Sequence, residues 1–268
     1  MFNKFVNFLQ AEMPTPTLYG WFHLFCVGIT IGLAIFLGIK FRNASEHSVR
    51  KFLIVTSMIL IFFELYKQLI FSYSYDADYV WDYQWYAFPF QFCSTPMYVC
   101  LLAGLLKKGK IQNALFSFLG TYALLGGLLV MSMPGDVFMS FIGINIQTMV
   151  HHGAMIVIAV VLYSSKSIKL DHKTIINALL VFLVLISIAL MGNCIYYWVS
   201  GVETFNLFYI SPYYPSTLPV FDIIYTKVPY IVFLMLYVVG FTIAAYIMLL
   251  VVMLINKLLH LKNNKVLN

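Results

Sequence analysis

The chain has 268 residues, of which 62% are hydrophobic and only 10% are charged, and its mean hydropathy is +0.89. Long apolar runs with few charges are typical of integral membrane proteins, so the composition excludes a soluble globular domain. The net charge of +6 does not indicate nucleic-acid binding, because cationic loops are expected on the cytoplasmic side of membrane proteins.

The first segment, residues 1–12, carries apolar residues at helical spacing and predicts a short helix lying in the membrane interface. Apolar segments follow, each close to or above the ~20 residues that cross the hydrocarbon. They cover residues 18–39, 52–72, 85–106, 111–131, 141–164, 174–198 and 229–256. The predicted fold class is therefore all-α, a single membrane domain with a bundle of seven transmembrane helices over residues 18–256.

The loops between these predicted spans alternate in charge. The first, third and fifth loops and the C-terminal tail are rich in Lys and Arg, whereas acidic residues concentrate in the second, fourth and sixth loops. By the positive-inside rule, the N-terminus is outside and the C-terminus is cytoplasmic in a multi-pass protein of the cell membrane. The sixth loop, residues 201–228, is rich in Tyr and Pro, and we expect it to cap the outer mouth of the bundle.

The third predicted span begins with an unusual run, FPFQFCSTP over residues 88–96. Proline inside a spanning helix frees backbone groups that then need other partners. The thiol of Cys93 lies in this irregular run, which makes it a candidate reactive group. The alternative is an inert cysteine in a kinked helix, because buried cysteine often behaves as a small hydrophobe.

Several polar side chains fall at similar depths in four predicted spans. At ~1.5 Å per residue, Cys93 and Glu64 lie about 12 Å below the outer edge, and two adjacent histidines of the fifth span about 15–16 Å below it. Ionisable residues inside a span are costly and often mark function. We therefore expect one polar cavity in the outer half of the membrane. The residues considered are Glu64, Lys67, Cys93, His151, His152 and Asn193.

Glu64 and Lys67 are three residues apart on one helix face, and this spacing favours an ion pair. Two interpretations remain open for the pair. It either fixes helix packing or takes part in a site.

The two histidines of the fifth span point in directions about 100° apart. His152 shares a face with Asn145, whereas His151 lies on another face. Adjacent histidines with this divergence, and no HExxH motif, do not indicate a metal site, and we predict no cofactor. We expect one histidine to face the cavity and the other to bond to a neighbouring helix. A core histidine satisfied by such a bond is the alternative for either one.

The chemistry that fits a thiol and a histidine at matching depth is nucleophilic catalysis. A thiol in an apolar site resists ionisation, so a base has to take its proton. Asn145, Asn193 or Glu64 is a candidate for holding the imidazole in the correct tautomer. The candidates for stabilising the oxyanion are Gln91, Ser94, Thr95 and the backbone amides freed by Pro96.

Three short motifs support this interpretation: PFQFC at residues 89–93, QTMVHHG at residues 147–153, and Asn193 followed by two tyrosines. With them the sequence resembles the YwaF-like family of bacterial integral membrane proteins. That family is related to transmembrane protein 164, for which a phospholipid acyltransferase activity is described. Gln91 stands where the family has histidine. The resemblance implies that Cys93 is the acyl-accepting nucleophile and His152 the base.

The leading interpretation is an integral membrane acyltransferase that moves a fatty acyl chain between lipids. Its partners would be a phospholipid and a lysophospholipid, and its oligomeric state is left open. The alternative is a non-enzymatic transporter or binding component for a small amphiphile, with Glu64, Lys67 and the histidines as ligand or proton groups. A structural or accessory membrane subunit is the third possibility.

Overall fold

The computed structural model describes residues 2–73 and 80–266 and confirms the all-α class. The helices in the described residues are α1 (Phe2–Leu9), α2 (Trp21–Lys40), α3 (Glu46–Ser72), α4 (Thr95–Leu105), α5 (Lys110–Phe118), α6 (Leu124–Ser132), α7 (Ile142–Ser164), α8 (Lys173–Ser200), α9 (Phe221–Lys227) and α10 (Tyr230–Val266). Short 3₁₀ turns lie at Trp85–Ala87, Gly135–Val137 and Leu207–Tyr209.

Six of the described helices are long and apolar enough to cross a membrane. A π-helical turn over Leu119–Ala123 joins α5 and α6 into one continuous helix. The six are Trp21–Lys40, Glu46–Ser72, Lys110–Ser132, Ile142–Ser164, Lys173–Ser200 and Tyr230–Leu258. They correspond to six of the predicted spans, so the protein is a multi-pass helical membrane protein.

The predicted third span, residues 85–106, is not one continuous helix, and a seventh spanning helix is therefore not confirmed. After the 3₁₀ turn at Trp85–Ala87, residues 88–94 are irregular, and α4 has only 11 residues, about 16 Å of helix. Pro96 lies in the first turn of α4, where a missing N–H breaks no helical hydrogen bond. The prolines thus delay the start of the helix instead of kinking a longer one.

Helix α3 packs closely against α4, and α6 packs closely against α7. A Cβ atom added to Gly104 of α4 would lie 2.9 Å from the Arg50 carbonyl oxygen, and one added to Gly127 of α6 would lie 2.8 Å from the His152 carbonyl oxygen. Small residues allow helix backbones in a membrane to approach this closely. The backbone at His152 is consequently held tightly against α6.

The ends of the bundle differ in composition. We call the loops at residues 41–45, 106–109 and 165–172 the lysine-rich end, and residues 10–20, 80–94, 133–141 and 201–229 the opposite end. The predicted loop at residues 201–228 contains a 3₁₀ turn and α9, and the Tyr237 hydroxyl of α10 donates to the Phe208 carbonyl oxygen (2.8 Å). Its role as a cap over a cavity stays a prediction. Asp76 and Asp78, which belong to the acidic second loop, lie outside the described residues.

Candidate functional site

Helix α3 holds the chain on both sides of Cys93. The Ser57 hydroxyl donates to the Met97 carbonyl oxygen (2.8 Å), and the Gln68 amide donates to the Ala87 carbonyl oxygen (2.6 Å). Ala87 precedes Cys93 and Met97 follows it, so the irregular segment carrying the thiol lies along α3 between these contacts. The charged pair, Glu64 and Lys67, lies on α3 between Ser57 and Gln68.

The ion pair predicted from the spacing of Glu64 and Lys67 is confirmed. The Lys67 ammonium lies 2.7 Å from Glu64 Oε1, and the side chains are only 13% and 4% exposed, respectively. The Gln68 amide also donates to Glu64 Oε1 (2.8 Å). Among the described residues, the other carboxylate oxygen, Oε2, is buried without a hydrogen-bond partner. The interior of the bundle therefore contains one ion pair and one carboxylate oxygen that lacks a hydrogen-bond donor.

Cys93 is half-buried and reduced. It lies within electrostatic range of both Lys67 and Glu64. The same Lys67 ammonium acts on both histidines of α7. Lys67 is thus within electrostatic range of both the predicted nucleophile and the predicted base.

The two histidines adopt opposite tautomers. His152 Nδ1 donates to the Thr148 carbonyl oxygen (2.7 Å), and His151 Nε2 donates to the Leu60 carbonyl oxygen on α3 (3.0 Å). A carbonyl oxygen only accepts, so the proton of His152 is on Nδ1 and its Nε2 carries the lone pair. In the described part of the chain, no hydrogen bond reaches that Nε2. His151 forms the interhelical bond expected of one histidine. Each ring keeps one basic nitrogen without a hydrogen bond among the described residues, Nδ1 in His151 and Nε2 in His152.

Asn145 does not hold the imidazole of His152. Its side-chain amide donates to the Met139 carbonyl oxygen (2.7 Å), and its Oδ1 accepts from the Met139 N–H (3.0 Å). These reciprocal bonds close the loop that leads into α7. The sequence placed Asn145 on the same helix face as His152 but did not predict its bonds to the Met139 backbone.

Asn193 and Gln91 hold a turn at the opposite end. Asn193 Oδ1 accepts from the Leu207 N–H (2.7 Å), and its amide donates to the Leu207 carbonyl oxygen (3.1 Å). Gln91 Oε1 accepts from the Phe208 N–H (3.1 Å), and its amide donates to the Asn206 carbonyl oxygen (3.4 Å). Among the described residues, neither side chain forms a hydrogen bond with a histidine.

The turn that these amides hold carries Tyr209, which the sequence did not single out. Phe208 and Tyr209 have φ values of 57° and 59°, in the left-handed region that costs energy for bulky residues. Tyr209 lies within electrostatic range of Cys93, and burial followed by the charge of a Cys93 thiolate raises the pKa of its hydroxyl. The hydroxyl therefore stays protonated as a hydrogen-bond donor. Only the folding of the loop onto α8 brings it there, so no local sequence signal reveals it.

The cavity predicted to be lined by Cys93, His152, Glu64 and Asn193 stays a prediction. Two cavities of the described structure, about 520 Å³ and 490 Å³, lie at the lysine-rich end. The polar side chains of the candidate site bond mainly to backbone groups and to each other. In the described residues, no group of three or more His, Cys, Asp and Glu residues is placed to hold a metal ion.

Comparison with known proteins gives one match. No curated protein and no solved structure matches the chain. The family model described as the TMEM164 family matches residues 18–260. This range begins just before α2 and extends into α10, so it includes Cys93, both histidines and the ion pair. The chain therefore belongs to the TMEM164 family.

Proposed function

We propose that this protein is an integral membrane acyltransferase that moves a fatty acyl chain between lipids through Cys93 and His152. The observation that carries the proposal is the hydrogen bond from His152 Nδ1 to the Thr148 carbonyl oxygen, which leaves Nε2 as a free base. His151 Nδ1 is also without a hydrogen bond among the described residues, and the resemblance to the family motif favours His152 as the base. The resemblance of residues 89–93 and 147–153 to family motifs supports acyl transfer as the reaction.

The first half-reaction forms a thioester. His152 Nε2 takes the proton of the Cys93 thiol while the sulfur attacks the ester carbonyl carbon of a phospholipid. The carbon–oxygen bond then breaks, and the departing lysophospholipid oxygen takes the proton from the imidazolium. Cys93 carries the acyl chain and His152 is neutral again.

The second half-reaction reverses these roles. The hydroxyl of an acceptor lysophospholipid loses its proton to Nε2 and attacks the thioester carbonyl carbon. The carbon–sulfur bond breaks, and the proton returns to the sulfur of Cys93. Donor and acceptor are both membrane lipids, and the cycle uses no cofactor.

Two further groups favour the charge that develops at this site. The Lys67 ammonium lies within electrostatic range of the Cys93 thiol, and a nearby cation stabilises a thiolate and an oxyanion. The Tyr209 hydroxyl, also near Cys93, is a protonated donor of the kind that forms oxyanion holes. Glu64 offsets part of the positive charge and keeps Lys67 in place.

The proposal includes a complete topology. Residues 88–94 and α4 together form the third of seven crossings, with the N-terminus outside and the C-terminus cytoplasmic in the cell membrane. Non-helical backbone at membrane depth is tolerated where protein satisfies it. The Tyr98 hydroxyl donates to the Pro89 carbonyl oxygen (2.9 Å), and the Thr95 hydroxyl donates to the Phe92 carbonyl oxygen (3.0 Å). Protease access to tags at both termini of intact cells tests the orientation, and a protected N-terminus would refute it.

The second candidate function is a non-enzymatic transporter or binding component for a small amphiphile. The observation that favours it is the unpartnered Glu64 Oε2 beside Lys67, because intramembrane charged pairs often mark proton or substrate pathways. In that case Cys93 would be dispensable, and Glu64 and Lys67 would not.

A trapped thioester distinguishes the two functions. Full-length protein in phosphatidylcholine vesicles is expected to gain a hydroxylamine-sensitive acyl group on Cys93, detected by mass spectrometry. His152→Ala is expected to prevent its formation. Cys194→Ala, at a half-buried cysteine of α8, is the matched control and should leave the acyl group on Cys93 unchanged. Full acyl transfer by Cys93→Ala would refute this mechanism.

A further inference from the structure

The larger cavity at the lysine-rich end has a strongly cationic lining. Its volume is about 520 Å³, and it lies where the loops before α3, α5 and α8 meet. The charged residues in the lining are Glu46, Lys108, Lys166, Lys169, Asp171 and Lys173. Four ammonium groups thus face two carboxylates, an excess of two positive charges.

Both carboxylates are already engaged by backbone groups. Glu46 Oε1 accepts from the Lys108 N–H (3.2 Å). Asp171 Oδ1 accepts from the Thr174 N–H (3.1 Å) and so caps the start of α8. In the part of the chain whose side chains are described, the only ion pair is that of Glu64 and Lys67. The lysines of the cavity are therefore available to an external anion.

Two helices begin at the cavity and add to its positive potential. Helix α5 begins at Lys110 and α8 at Lys173, and each N-terminus carries a partial positive charge. No side chain caps the first turn of α5, because Gly109 precedes it. Free amide groups at a helix start are ready donors to an anion.

Lys166 is an unusual residue for its backbone position. Its φ is 58°, and it ends α7 through bonds from its own N–H to Tyr163 and from the Ser167 N–H to Leu162. Glycine is the residue best suited to this left-handed helix end. The backbone does not explain a lysine there, whereas its place in the cavity lining does.

We propose that this cavity binds an anionic phosphate group, carried either by a phospholipid headgroup or by a soluble phosphate compound. Basic pockets at the ends of membrane helices are suited to phospholipid headgroups. The site lies at the end of the bundle away from Cys93, and its existence does not depend on acyl transfer.

The test measures binding to the full-length protein in a neutral detergent. The thermal midpoint is followed while dioleoyl phosphatidylglycerol, dioleoyl phosphatidylcholine or inorganic phosphate is added, which yields an apparent Kd for each. Phosphatidylglycerol is expected to bind more tightly than phosphatidylcholine. Saturable binding of inorganic phosphate would identify the phosphate alone as sufficient, and its failure beside tight phosphatidylglycerol binding would identify a lipid headgroup.

Lys166→Gly separates binding from folding. Glycine suits the left-handed backbone, so the variant should be at least as stable as the original protein without ligand, while its affinity for the binding anion falls about fivefold. Lys107→Gln removes a charge from the same loop region without touching the cavity lining and should bind normally. Lys169→Gln gives the same readout if Lys166→Gly is poorly produced. Equal binding of both lipids, no binding of any anion, or equal losses in the Lys107 and Lys166 variants would overturn the proposal.

Discussion

The region around Cys93 and the lysine-rich end use polar side chains in opposite ways. Around Cys93, polar groups are mostly buried and paired with specific partners. At the lysine-rich end, a cavity of about 520 Å³ is surrounded by ammonium groups without ion-pair partners among the described side chains. The paired groups of the first region include Glu64, Lys67, Asn145, His151 and Asn193.

This difference follows from the surroundings of each region. A polar group buried in apolar surroundings has to be hydrogen-bonded, because leaving it unpaired costs about 1–3 kcal/mol. Lysines at the end of a bundle reach water and need no protein partner. Buried polar groups are therefore usually occupied by hydrogen bonds that stabilise the fold. The lysines at the end of the bundle stay available for binding.

The informative polar groups around Cys93 are those without a hydrogen-bond partner. His152 Nε2 and His151 Nδ1 have no hydrogen bond among the described residues, and Glu64 Oε2 is buried and unpartnered. Unsatisfied polar groups in a well-packed interior often mark functional sites. The following experiments ask whether these exceptions are functional and whether their paired neighbours are only structural.

The largest effect is expected on the rate of acyl transfer when the proposed base, His152, is replaced. Replacing the adjacent His151 is the comparison. His152→Ala should lower acyl transfer by about 10²–10⁴-fold, the usual contribution of a general base. His151→Ala should instead lower the free energy of unfolding by about 1–3 kcal/mol, because the Leu60 carbonyl oxygen loses its donor. Transfer rates in vesicles and thermal unfolding in detergent check both. Equal losses of activity with unchanged stability would contradict the assignment of roles.

The ion pair gives the next largest expected effect. Lys67→Met leaves the Glu64 carboxylate without its cation in a nearly closed site, and breaking a buried pair in this way destabilises by about 3–5 kcal/mol. The double variant with Glu64→Gln should recover most of that loss. Lys169→Met at the cavity is the matched control and should change stability by less than about 0.5 kcal/mol.

A cycle of these variants in chemical denaturation measures the coupling between the two charges. A Lys67→Met variant as stable as the original protein would show that the unpaired carboxyl group is accommodated, either hydrated or protonated. The difference between the paired polar groups around Cys93 and the unpaired lysines at the lysine-rich end would then not hold for Glu64.

A smaller effect is expected at the turn that carries Tyr209. Asn193→Ala removes both bonds to Leu207 and should cost about 2 kcal/mol. The left-handed backbone of Phe208 then loses part of its support, so proteolysis within residues 201–229 should accelerate. Asn113→Ala, at an exposed side chain of the cavity lining, should change neither property. Unchanged proteolysis in Asn193→Ala would show that other contacts hold the turn.

Much of the fold could be predicted because hydropathy directly reports which segments suit a membrane. Six of the predicted spans are helices of sufficient length, and the i,i+3 spacing identified the pair of Glu64 and Lys67. Both features depend on local chain geometry alone. The third predicted span was not confirmed as one continuous helix, because apolar composition does not distinguish a helix from the irregular segment at residues 88–94, which tertiary contacts stabilise.

The candidate site was less predictable, since its details depend on contacts between distant segments. The sequence placed Asn145 on the face of His152, but a loop six residues away uses both of its polar groups. Tyr209 lies within electrostatic range of Cys93 because α8 and α10 hold its loop. The shared depth of polar residues predicted a common site, but depth does not reveal whether such residues line a cavity or form hydrogen bonds to separate backbone groups.

The smallest effect is expected where α1 closes the end of the bundle opposite the lysines. The Tyr66 hydroxyl donates to the Leu9 carbonyl oxygen at the end of α1 (2.6 Å). Tyr66→Phe removes that bond and should cost about 1 kcal/mol, with faster hydrogen exchange of the amides in α1. Tyr163→Phe is the matched control, because its hydroxyl donates to the Gly120 carbonyl oxygen (2.8 Å) away from α1. It should cost a similar amount without changing exchange in α1. If Tyr66→Phe leaves that exchange unchanged, the remaining contacts of residues 10–13 are sufficient to hold α1, and the closure of this end does not depend on the hydroxyl.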